Sequence, residues 1–594
     1  MCGIVGYLGQ NPEKILVENL KRLEYRGYDS AGIAVKNQNG VQVFKSKGEI
    51  KNLENIILPV SNANIGIGHT RWATHGKPDE INAHPHISSD KKWTLVHNGI
   101  IENYLNLKEK LIRKGFSFYS ETDTEIIAKL LEYYARKDND CLTILQKTCD
   151  ALKGSYALGV MNSDNDKLYF AKNKSPLYIA LNGSKVMLSS DIICFVGFSE
   201  EYYSVADGVT GFADISGIKF FDKLGEITVA PTKLDLSGYE NLNSYRHYML
   251  KEIYETRTAI KNIIEYYSYY ENRNKFKGID LTRIKKIKLV GCGTAYHAAL
   301  MGAKMFEDIL NIDSSACVAS EFRYFTPKIG ADTLVLLISQ SGETADTLAA
   351  LEIAKEKGAL TVGLVNVEYS AIAKNSDVFF PNKAGVEIAV ASTKAYSAQL
   401  VALNLISEIL AENLGIKKFD MSETEKLYES FDFGNVNQYK LLADALRYNS
   451  QLFMIGRGAD YYTALEASLK IKETSYISSD TYYAGELKHG FMALIDEATY
   501  VIVFATEEEV FDKVLSNAEE AKARGAKIIL FTRFELDAVT KDNFFYVINV
   551  ENVGGPLQSV VNIVPWQIIA YYTSVNKGIN PDKPRNLAKS VTVE

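Results

Sequence analysis

The chain has few cysteines, few prolines and no long apolar run, and each shortage narrows the class of protein. Its six cysteines among 594 residues lie far apart and include no CxxC pair. This spacing argues against a disulfide framework or a zinc site and favours a reducing compartment, so we expect a cytoplasmic protein. The apolar run after Cys2 is broken by Gly6, Gly9 and Asn11, and no stretch reaches the roughly 18 apolar residues of a membrane span. We therefore predict no signal peptide and no membrane association.

An excess of positive charge is also missing. The 66 lysines and arginines are outnumbered by 73 aspartates and glutamates, giving a net charge of -7, and no basic block could track a phosphate backbone. We expect no nucleic-acid partner. What is present is a globular composition, 46% apolar and 23% charged, in a chain long enough for two to four domains.

The first 233 residues combine short β-rich runs with helical periodicity. Runs such as GIAVKNQNGVQVFKSKG, KWTLVHNG and SYALGVMN read as strands, and EKILVENLKRLEY and TDTEIIAKLLEYYARK as helices. This mixture predicts an α+β domain. The polar stretch LDLSGYENLNSYRHYMLKEI, residues 234–253, is interpreted as a connection that enters a helix.

From about Lys285 the pattern becomes strand, glycine turn, helix and strand, which is typical of a doubly wound parallel sheet. It occurs twice: Gly291 and Gly456 are 165 positions apart, and Gly358 and Gly525 are 167 apart. Two tandem copies of one α/β domain explain the match. The predicted boundaries are 1–238 for the first domain, 239–284 for a linker, 285–425 and 440–580 for the two copies, and 581–594 for a tail.

The two copies differ after their second strand, where the first has SQSGET (339–344) and the second ATEEEV (505–510). Hydroxyls, an amide and a glycine before a helix present donors to an anion at the positive helix end, whereas three glutamates would repel it. We predict one phosphate site, in the first copy, using Ser339, Gln340, Ser341 and Thr344. The alternative is an ordinary helix N-cap.

Cys2 directly follows the initiator methionine. Removal of Met1 would give Cys2 a free α-amino group with a pKa of roughly 7.7 to 8, which could serve as the base for its own thiol. The alternative is a small buried hydrophobic residue.

Three nearby segments carry groups that a thiol nucleophile would need. TRWATHG offers Arg71 for a carboxylate and Trp72 as an apolar wall, HNGIIENY offers Asn98 and Gly99 for an oxyanion, and SETDTE offers Asp123 for an ammonium. Together they describe an amino-acid substrate. The alternatives are a surface ion pair for Arg71, a hairpin turn at Asn98-Gly99 and a first-turn helix acid at Asp123.

A metal site is the alternative for the histidines of this region. His69, His75, His84, His86 and His97 lack an acidic or cysteine ligand to complete a set. We therefore expect no metal.

In the second copy, EASLKIKE places Glu466, Lys470 and Glu473 on one helix face. A lysine can form a Schiff base and a carboxylate can move a proton, as a sugar isomerisation requires. The commoner outcome of such spacing is a surface ion pair.

CGIVGY, YRGYDSAG, TRWATHG, HNGIIENY and SETDTE, in this order, resemble the glutaminase domain of the N-terminal-nucleophile amidotransferases, with its αββα layers. CGT, SQSGET and ASTK resemble the sugar isomerase domain family. With SLKIKE, GELKHG and PRNLAKSVTVE, the resemblance to amidotransferases that make amino-sugar phosphates covers essentially the whole chain.

The resemblance implies a role for each matching residue of the first half. Cys2 is the nucleophile, Asn98 and Gly99 hold the oxyanion, and Trp72 gates ammonia. Arg26 is expected near the nucleophile. The residues implied to bind glutamine are Arg71, Trp72, Thr74, His75 and Asp123.

For the second half, the resemblance implies Glu473 as the isomerisation base, His489 from a neighbouring subunit as the ring-opening group, and Lys589 in the tail as the Schiff-base amine. A solvated terminal lysine is the alternative for Lys589. The residues implied to contact the sugar phosphate are Thr294, Ser339, Gln340, Ser341, Thr344, Val390 and Lys470. Ala295, in CGTA where the family has CGTS, lacks one hydroxyl, and Phe491 stands where proline is more familiar.

The expected reaction converts D-fructose 6-phosphate and L-glutamine to D-glucosamine 6-phosphate and L-glutamate, the first step of amino-sugar synthesis. It would need no cofactor and would use a homodimer with a shared sugar site. A different glutaminase-fed synthase should carry a GxxxxGK[ST] or SGGxDS-type loop, which the sequence lacks. A non-catalytic sugar-phosphate sensor would not need Cys2, Glu473, His489 and Lys589 together.

Overall fold

The computed structural model describes residues 2–234, 242 and 244–591, and their contacts divide them into two compact units. The first unit contains the described residues up to 234 together with 588–591, and the second contains those from 242 to 587. The predicted connection over 234–253 lies partly outside the described residues, at 235–241 and 243. The helix that it was expected to enter begins at Tyr248.

Two antiparallel sheets with flanking helices form the first unit. Its strands are β1 (Gly3–Leu8), β2 (Ser30–Asn37), β3 (Gly40–Lys47), β4 (Ile65–Arg71), β5 (His86–Ile87), β6 (Trp93–Ile101), β7 (Gly154–Asn162), β8 (Leu168–Asn173), β9 (Tyr178–Asn182), β10 (Lys185–Ser189), β11 (Glu201–Ser204), β12 (Thr210–Asp214), β13 (Gly217–Asp222), β14 (Gly225–Ile227) and β15 (Thr232–Lys233). Its helices are α1 (Pro12–Leu23), α2 (Ile50–Glu54), α3 (Tyr104–Ile112), α4 (Thr124–Ala135) and α5 (Cys141–Ala151), with 3₁₀ turns at Glu24–Arg26 and Ile192–Phe195.

The strand orders are β15-β11-β9-β10-β1-β4-β2-β3 and β14-β13-β12-β8-β7-β6-β5. The alternating strands bury one face of each sheet against the other: Ile4 and Ile67 share a cluster with Val96 and Ala157. The outer face of the second sheet packs on α4 and α5.

Helix α1 covers the outer face of the first sheet, where β4 carries glycines. A Cβ added at Gly66 or Gly68 would lie 2.8 or 2.9 Å from the side chains of Leu16 or Leu20, so these glycines admit the helix closely. The order helix, sheet, sheet, helix confirms the predicted αββα architecture.

The second unit begins with α6 (Tyr248–Tyr254), α7 (Thr256–Ser268) and α8 (Tyr270–Arg273). The first copy comprises β16 (Lys286–Gly291), α9 (Thr294–Leu310), β17 (Asp313–Val318), α10 (Ala319–Tyr324), β18 (Thr333–Ser339), α11 (Ala345–Glu356), β19 (Leu360–Val365), α12 (Ala371–Asn375), β20 (Val378–Pro381) and α13 (Lys394–Asn413). Helices α14 (Ser422–Ser430) and α15 (Val436–Leu446) follow. The second copy comprises β21 (Gln451–Gly456), α16 (Ala459–Ser475), β22 (Ser478–Tyr483), β23 (Tyr500–Phe504), α17 (Phe511–Lys522), β24 (Lys527–Thr532), α18 (Ala538–Lys541), β25 (Tyr546–Asn549) and α19 (Gln558–Asn576), with 3₁₀ turns at Ala484–Lys488, Phe491–Leu494 and Glu508–Val510.

The two copies have the same topology, which confirms the predicted duplication. Their parallel sheets run β17-β16-β18-β19-β20 and β22-β21-β23-β24-β25. Helices α9 and α16 each have 17 residues, and each follows a glycine with positive φ, 54° at Gly293 and 55° at Gly458. Such a backbone turn favours glycine at this strand-to-helix junction.

Side chains from both copies share one core. Ala299 on α9 and Leu403 on α13 belong to the same buried cluster as Ala467 on α16 and Trp566 on α19. Among the described residues, no helix combines the length and apolar character that a membrane crossing requires.

Two candidate active sites

Cys2 lies immediately before β1, in the first unit, and its thiol faces the end of β4. The backbone N–H of Trp72 donates to Cys2 Sγ at 3.2 Å, because β1 pairs with β4 up to the Gly3–Thr70 register. Burial raises the pKa of the Cys2 thiol, and the Trp72 N–H and the charge of Arg71 offset only part of that rise. The resting thiol is therefore protonated and needs a base to become a nucleophile.

Asn98, on β6, holds the backbone of Cys2. Its Nδ2 donates to the Cys2 carbonyl at 2.9 Å, while its Oδ1 lies 3.1 Å from His69 Nε2. The same Nε2 lies 3.0 Å from the His97 carbonyl, so the ring proton is on Nε2 and His69 is the donor. His69 therefore orients the Asn98 amide so that its NH₂ group faces Cys2.

Gly99 sits beside Asn98 within β6, so the alternative of a hairpin turn at Asn98-Gly99 is wrong. Its φ is 128°, and a Cβ there would lie 2.0 Å from the Ser155 carbonyl oxygen on β7. Any side chain would both strain the backbone and collide with the neighbouring strand. The position therefore leaves the backbone unobstructed next to the nucleophile.

Arg71 ends β4 and is buried, which excludes the alternative of a surface ion pair. Its guanidinium donates to the carbonyls of His75, Gly76 and Lys77. The distances are 3.3 Å to the Gly76 oxygen and 3.2 Å to the Lys77 oxygen. These bonds fold residues 72–77 around the guanidinium. Two further residues assigned to glutamine binding lie on this loop: Thr74 is exposed, and its Oγ1 lies 3.3 Å from His75 Nδ1.

Asp123 directly precedes α4, which agrees with the alternative of an acid at the start of a helix. It also contacts β6. Its buried carboxylate accepts from the backbone N–H of Ile101 at 2.8 Å. Its charge also acts on the Cys2 thiol, whose pKa it helps to raise. Asp123 and Arg71 are thus both close enough to influence Cys2 electrostatically.

Two other residues of this region have well-defined neighbours. Trp72 is half-buried and packs edge-on against Tyr28, with ring centroids 6.4 Å apart. Arg26 is paired with Asp191, which also accepts from the Tyr25 hydroxyl at 2.6 Å.

Four of the five histidines are buried together, and the role of His69 was not anticipated from the sequence. His69 and His84 stack with ring centroids 4.0 Å apart, and burial lowers the pKa of His69 to about 3. Burial likewise lowers the pKa of His84, His86 and His97, so all four rings are neutral. Within the described parts of the chain, no group of three or more His, Cys, Asp or Glu side chains has the arrangement of a metal site.

In the second unit, the SQSGET segment forms a tight loop between β18 and α11. Gly342 N–H donates to Ser339 Oγ at 2.9 Å, and Ser339 Oγ lies 3.3 Å from Thr344 Oγ1. Gly342 has a φ of 65°, and an added Cβ would lie 2.0 Å from Ser370 Oγ. Thr344 precedes α11 without a side-chain capping bond, so its hydroxyl does not act as the ordinary N-cap of the alternative.

A buried polar cluster joins the two copies beside the start of α9. Thr294 Oγ1 donates to Glu466 Oε1 at 3.1 Å and accepts from Lys470 Nζ at 3.1 Å. Lys470 Nζ also lies 3.3 Å from Glu466 Oε1 and 2.6 Å from Glu473 Oε2.

The side chains of Glu466 and Lys470 are fully buried, so the alternative of a surface ion pair is wrong for this helix. Burial alone would lower the pKa of Lys470, but the carboxylates of Glu466 and Glu473 outweigh it and raise the pKa above its usual value. Lys470 is therefore a permanent cation, shared between two carboxylates. Glu466 was placed on this face by the sequence pattern but was not assigned to the site.

Three further predicted residues have other local surroundings. Val390 is buried and its N–H donates to the Asp582 carbonyl at 3.2 Å. His489 is exposed, next to the 3₁₀ turn Ala484–Lys488, and among the described residues its imidazole makes no hydrogen bond or ion pair. Lys589 is half-buried and belongs by its contacts to the first unit.

The two departures from the family pattern have clear local settings. Ala295 is buried at the second position of α9. Phe491 starts the 3₁₀ turn Phe491–Leu494 and packs against Phe453 and Tyr482, with ring centroids 4.3 and 4.7 Å away.

The second copy has an internal carboxylate where the first has Ala295. Asp460, the second residue of α16, accepts from the N–H groups of Thr506 and Glu507 at 2.6 and 3.2 Å. It also accepts from the Thr506 hydroxyl at 2.5 Å and from Asn562 Nδ2 at 3.3 Å. Thr506 and Glu507, after β23, correspond to Gln340 and Ser341, after β18. In the second copy, the hydrogen-bond donors at this place are therefore already bound by a carboxylate of the protein.

Comparisons with known proteins agree with this architecture. Residues 69–197 match the glutamine amidotransferase domain family, and residues 280–408 and 445–577 each match the SIS domain family. Relatives named glutamine–fructose-6-phosphate aminotransferase (isomerizing) align over the whole of both chains. Their identities are 42% for Caldanaerobacter subterraneus subsp. tengcongensis, 42% for Thermococcus kodakarensis and 39% for Bacillus subtilis. The chain belongs to the glutamine–fructose-6-phosphate aminotransferase (isomerizing) family.

A solved structure extends this family likeness to the second unit. The C-terminal domain of glucosamine-fructose-6-phosphate aminotransferase from Francisella tularensis is 33% identical, with a TM-score of 0.53. It is covered completely and spans 58% of this chain.

Proposed function

We propose that this chain is a glutamine–fructose-6-phosphate transaminase (isomerising), which converts L-glutamine and D-fructose 6-phosphate to L-glutamate and D-glucosamine 6-phosphate. One chain contains both a half-buried thiol beside an oriented amide donor and, in the other unit, a Ser-rich loop together with a buried Lys–Glu cluster. This observation carries the proposal. Family membership over the full length supports the same reaction.

In the glutaminase half, Cys2 Sγ attacks the side-chain amide carbon of glutamine. After removal of Met1, the α-amino group of Cys2 takes the thiol proton and passes it to the leaving ammonia. Asn98 Nδ2 and the Gly99 N–H stabilise the oxyanion. Water then cleaves the thioester and releases glutamate.

Substrate recognition in this half uses opposite charges. Arg71 binds the α-carboxylate of glutamine and Asp123 its α-ammonium, consistent with the influence of both on the Cys2 thiol. Thr74 and His75 line the same loop, and Trp72 separates the released ammonia from solvent. Ammonia must be shielded because bulk water would protonate it.

In the synthase half, the sugar phosphate binds the N–H groups and hydroxyls at the start of α11, where the helix dipole favours an anion. The proposed contacts are Thr294, Ser339, Gln340, Ser341, Thr344, Val390 and Lys470. Lys589 first condenses with the C2 ketone and releases water, and ammonia then displaces the lysine amine from C2 to leave an imine. Glu473 then moves one proton from C1 to C2 while the O1 hydroxyl proton passes to the C2 nitrogen, which yields the amino aldose without any external oxidant or reductant.

Two residues complete this scheme. His489 opens the sugar ring, and its exposure is consistent with a role across a homodimer interface. Lys589 forms the Schiff base with C2 before ammonia replaces it. The reaction requires no metal or organic cofactor, and a cytoplasmic enzyme would encounter both substrates.

The test is to incubate the purified protein with both substrates and to measure glucosamine 6-phosphate and glutamate. Equal amounts of both products are expected; glutamate without amino sugar would overturn the synthase assignment. Cys2→Ala should reduce glutamine-dependent synthesis at least about 1000-fold while fructose 6-phosphate isomerisation persists. Cys141→Ala, which removes a half-buried thiol on α5, is the matched control and should retain both activities.

A further inference from the structure

His297 contacts the buried cluster of the second unit from the side opposite Lys470. Its Nδ1 lies 2.7 Å from Glu466 Oε2, and its side chain is 14% exposed whereas that of Glu466 is fully buried. An ionised carboxylate can only accept a hydrogen bond, so Nδ1 carries the proton and His297 is the donor. Neither the sequence pattern nor the family likeness assigns a role to this histidine.

The two oxygens of Glu466 are therefore held by different partners. Oε1 faces Thr294 and Lys470, and Oε2 faces His297. Thr294 and His297 are three residues apart on α9 and share a face, as Glu466 and Lys470 do on α16. The result is a continuous series of side-chain contacts that runs from His297 through Glu466 and Lys470 to Glu473.

Charge explains why a donor on Oε2 matters. These four side chains include two carboxylates and one ammonium. A buried carboxylate without a donor on each of its oxygens is energetically unfavourable. Without His297, Glu466 would draw the Lys470 ammonium towards itself to compensate. That movement would weaken the contact of Lys470 with Glu473, which is 2.6 Å long.

We propose that His297 is a positioning residue of the sugar site, which fixes the Glu466 carboxylate so that the Lys470 ammonium remains on Glu473. The proposal rests on the proposed role of Glu473 as the base that moves a proton between C1 and C2. His297 does not contact the sugar in this scheme; it sets the position and basicity of Glu473 through two intermediate side chains.

The groups that could also influence a pH profile here are few. On α16, Glu466 contacts His297 directly and connects it to Lys470 and Glu473, and Tyr296 lies next to His297 with ring centroids 6.1 Å apart. Tyr396, on α13, is buried; burial and then the charge of Glu466 raise its pKa far above its usual value, so it stays neutral. The limb of the pH–rate profile assigned to the proposed base, Glu473, is therefore the readout for the substitutions below.

The experiment compares three variants in two assays. Isomerisation of fructose 6-phosphate to glucose 6-phosphate without glutamine reports on the sugar site, and glutamine hydrolysis reports on the first unit. Thermal unfolding of each variant reports whether the second unit is folded. His297→Phe keeps a ring without the donor, His297→Ala removes both, and His297→Asn keeps an N–H that can reach Glu466.

For His297→Phe and His297→Ala we expect kcat of isomerisation to fall about tenfold, the effect of losing one hydrogen bond to a charged group, with KM changed less than about twofold. In both variants, the limb of the pH–rate profile that reports ionisation of the base should shift. His297→Asn should recover most of the rate and the wild-type limb.

Two results would overturn the proposal. One is an unchanged kcat and pH profile in His297→Phe, and the other is a His297→Asn variant no better than His297→Phe. A wild-type protein without isomerase activity would instead contradict the proposed function itself. If His297→Ala does not fold, the Phe and Asn variants still decide between these outcomes.

Discussion

The two sugar isomerase copies share strand order, the length of their first helix and the glycine before it, yet the loops after β18 and β23 differ. In the first copy no carboxylate of the described residues is bonded to Gln340 or Ser341 as Asp460 is to Thr506 and Glu507, and the second residue of α9 is Ala295. In the second copy the corresponding donors are bound by Asp460, at the second position of α16. One side chain therefore distinguishes a loop that can receive an anion from one that already holds its own.

The difference also explains how one site serves two copies. The first copy supplies the proposed phosphate loop, Thr294 and His297, whereas the second supplies Glu466, Lys470 and Glu473. In the proposed reaction, anion binding and proton transfer are thus divided between the duplicated domains. The substitutions described below test this division between the two copies.

The largest effect is expected from Ala295→Asp, which gives the first copy the carboxylate of the second. The new carboxylate would bind the donors after β18 and repel the phosphate, so kcat/KM for fructose 6-phosphate should fall about 1000-fold, or about 4 kcal/mol. Steady-state assay of glucosamine 6-phosphate formation measures the loss.

Ala295→Asn is the control for that change, because it adds nearly the same volume without charge. The Asn variant should lower kcat/KM for fructose 6-phosphate by less than about tenfold. Glutamine hydrolysis should be retained in both variants. An Asp variant that binds fructose 6-phosphate as tightly as the Asn variant would contradict the comparison of the two copies.

A second prediction concerns the pH dependence of stability at Asp460. Burial raises the pKa of this carboxyl to about 6, from 3.8 for an ordinary aspartate. The folded state therefore holds a proton that the unfolded state releases, and the contribution to the free energy of unfolding is complete below pH 3.8 and lost as pH rises through about 6. The shift of about 2 pKa units corresponds to about 3 kcal/mol.

Asp460→Asn removes this titration while keeping the shape of the side chain. Denaturant unfolding of both proteins from pH 4 to pH 8 should show wild type losing about 3 kcal/mol relative to the variant, with most of the loss between pH 4 and 6. Parallel stability curves would mean that Asp460 titrates normally.

The smallest effect is expected from Gly342→Ala in the proposed phosphate loop. The new Cβ would lie 2.0 Å from Ser370 Oγ at a φ of 65°, so the loop must shift and KM for fructose 6-phosphate should rise about tenfold. Gly358→Ala is matched, since its φ is 77° and nothing lies within 4 Å of the added Cβ. Equal KM values for the two variants would separate this loop from phosphate binding.

Local patterns were enough to predict the fold because each element follows its own periodicity. The hairpin of β2 and β3, the helices α1 and α4 and the duplicated sheets all agree with the sequence interpretation. Asn98-Gly99 was open to a turn interpretation because the dipeptide favours hairpins. Its place inside β6 depends on pairing with β7, which local sequence does not record.

The residues that sequence reasoning missed act through tertiary contacts. His69 and Asn98 are 29 positions apart, Asp460 and Thr506 are 46 apart, and His297 and Glu466 are 169 apart. The glutamates of ATEEEV were the reason to expect no phosphate in the second copy, and this stays a prediction. They could not reveal that a carboxylate from a different helix already occupies the donors.

Thr294 connects the copies through a single hydroxyl that both donates to Glu466 and accepts from Lys470, within a core to which both copies contribute. Separating the copies would leave a buried charge pair without its partner and expose apolar surface on both. Their melting should therefore be cooperative, so that a calorimeter records one heat-absorption peak for the pair, although the topology describes two domains.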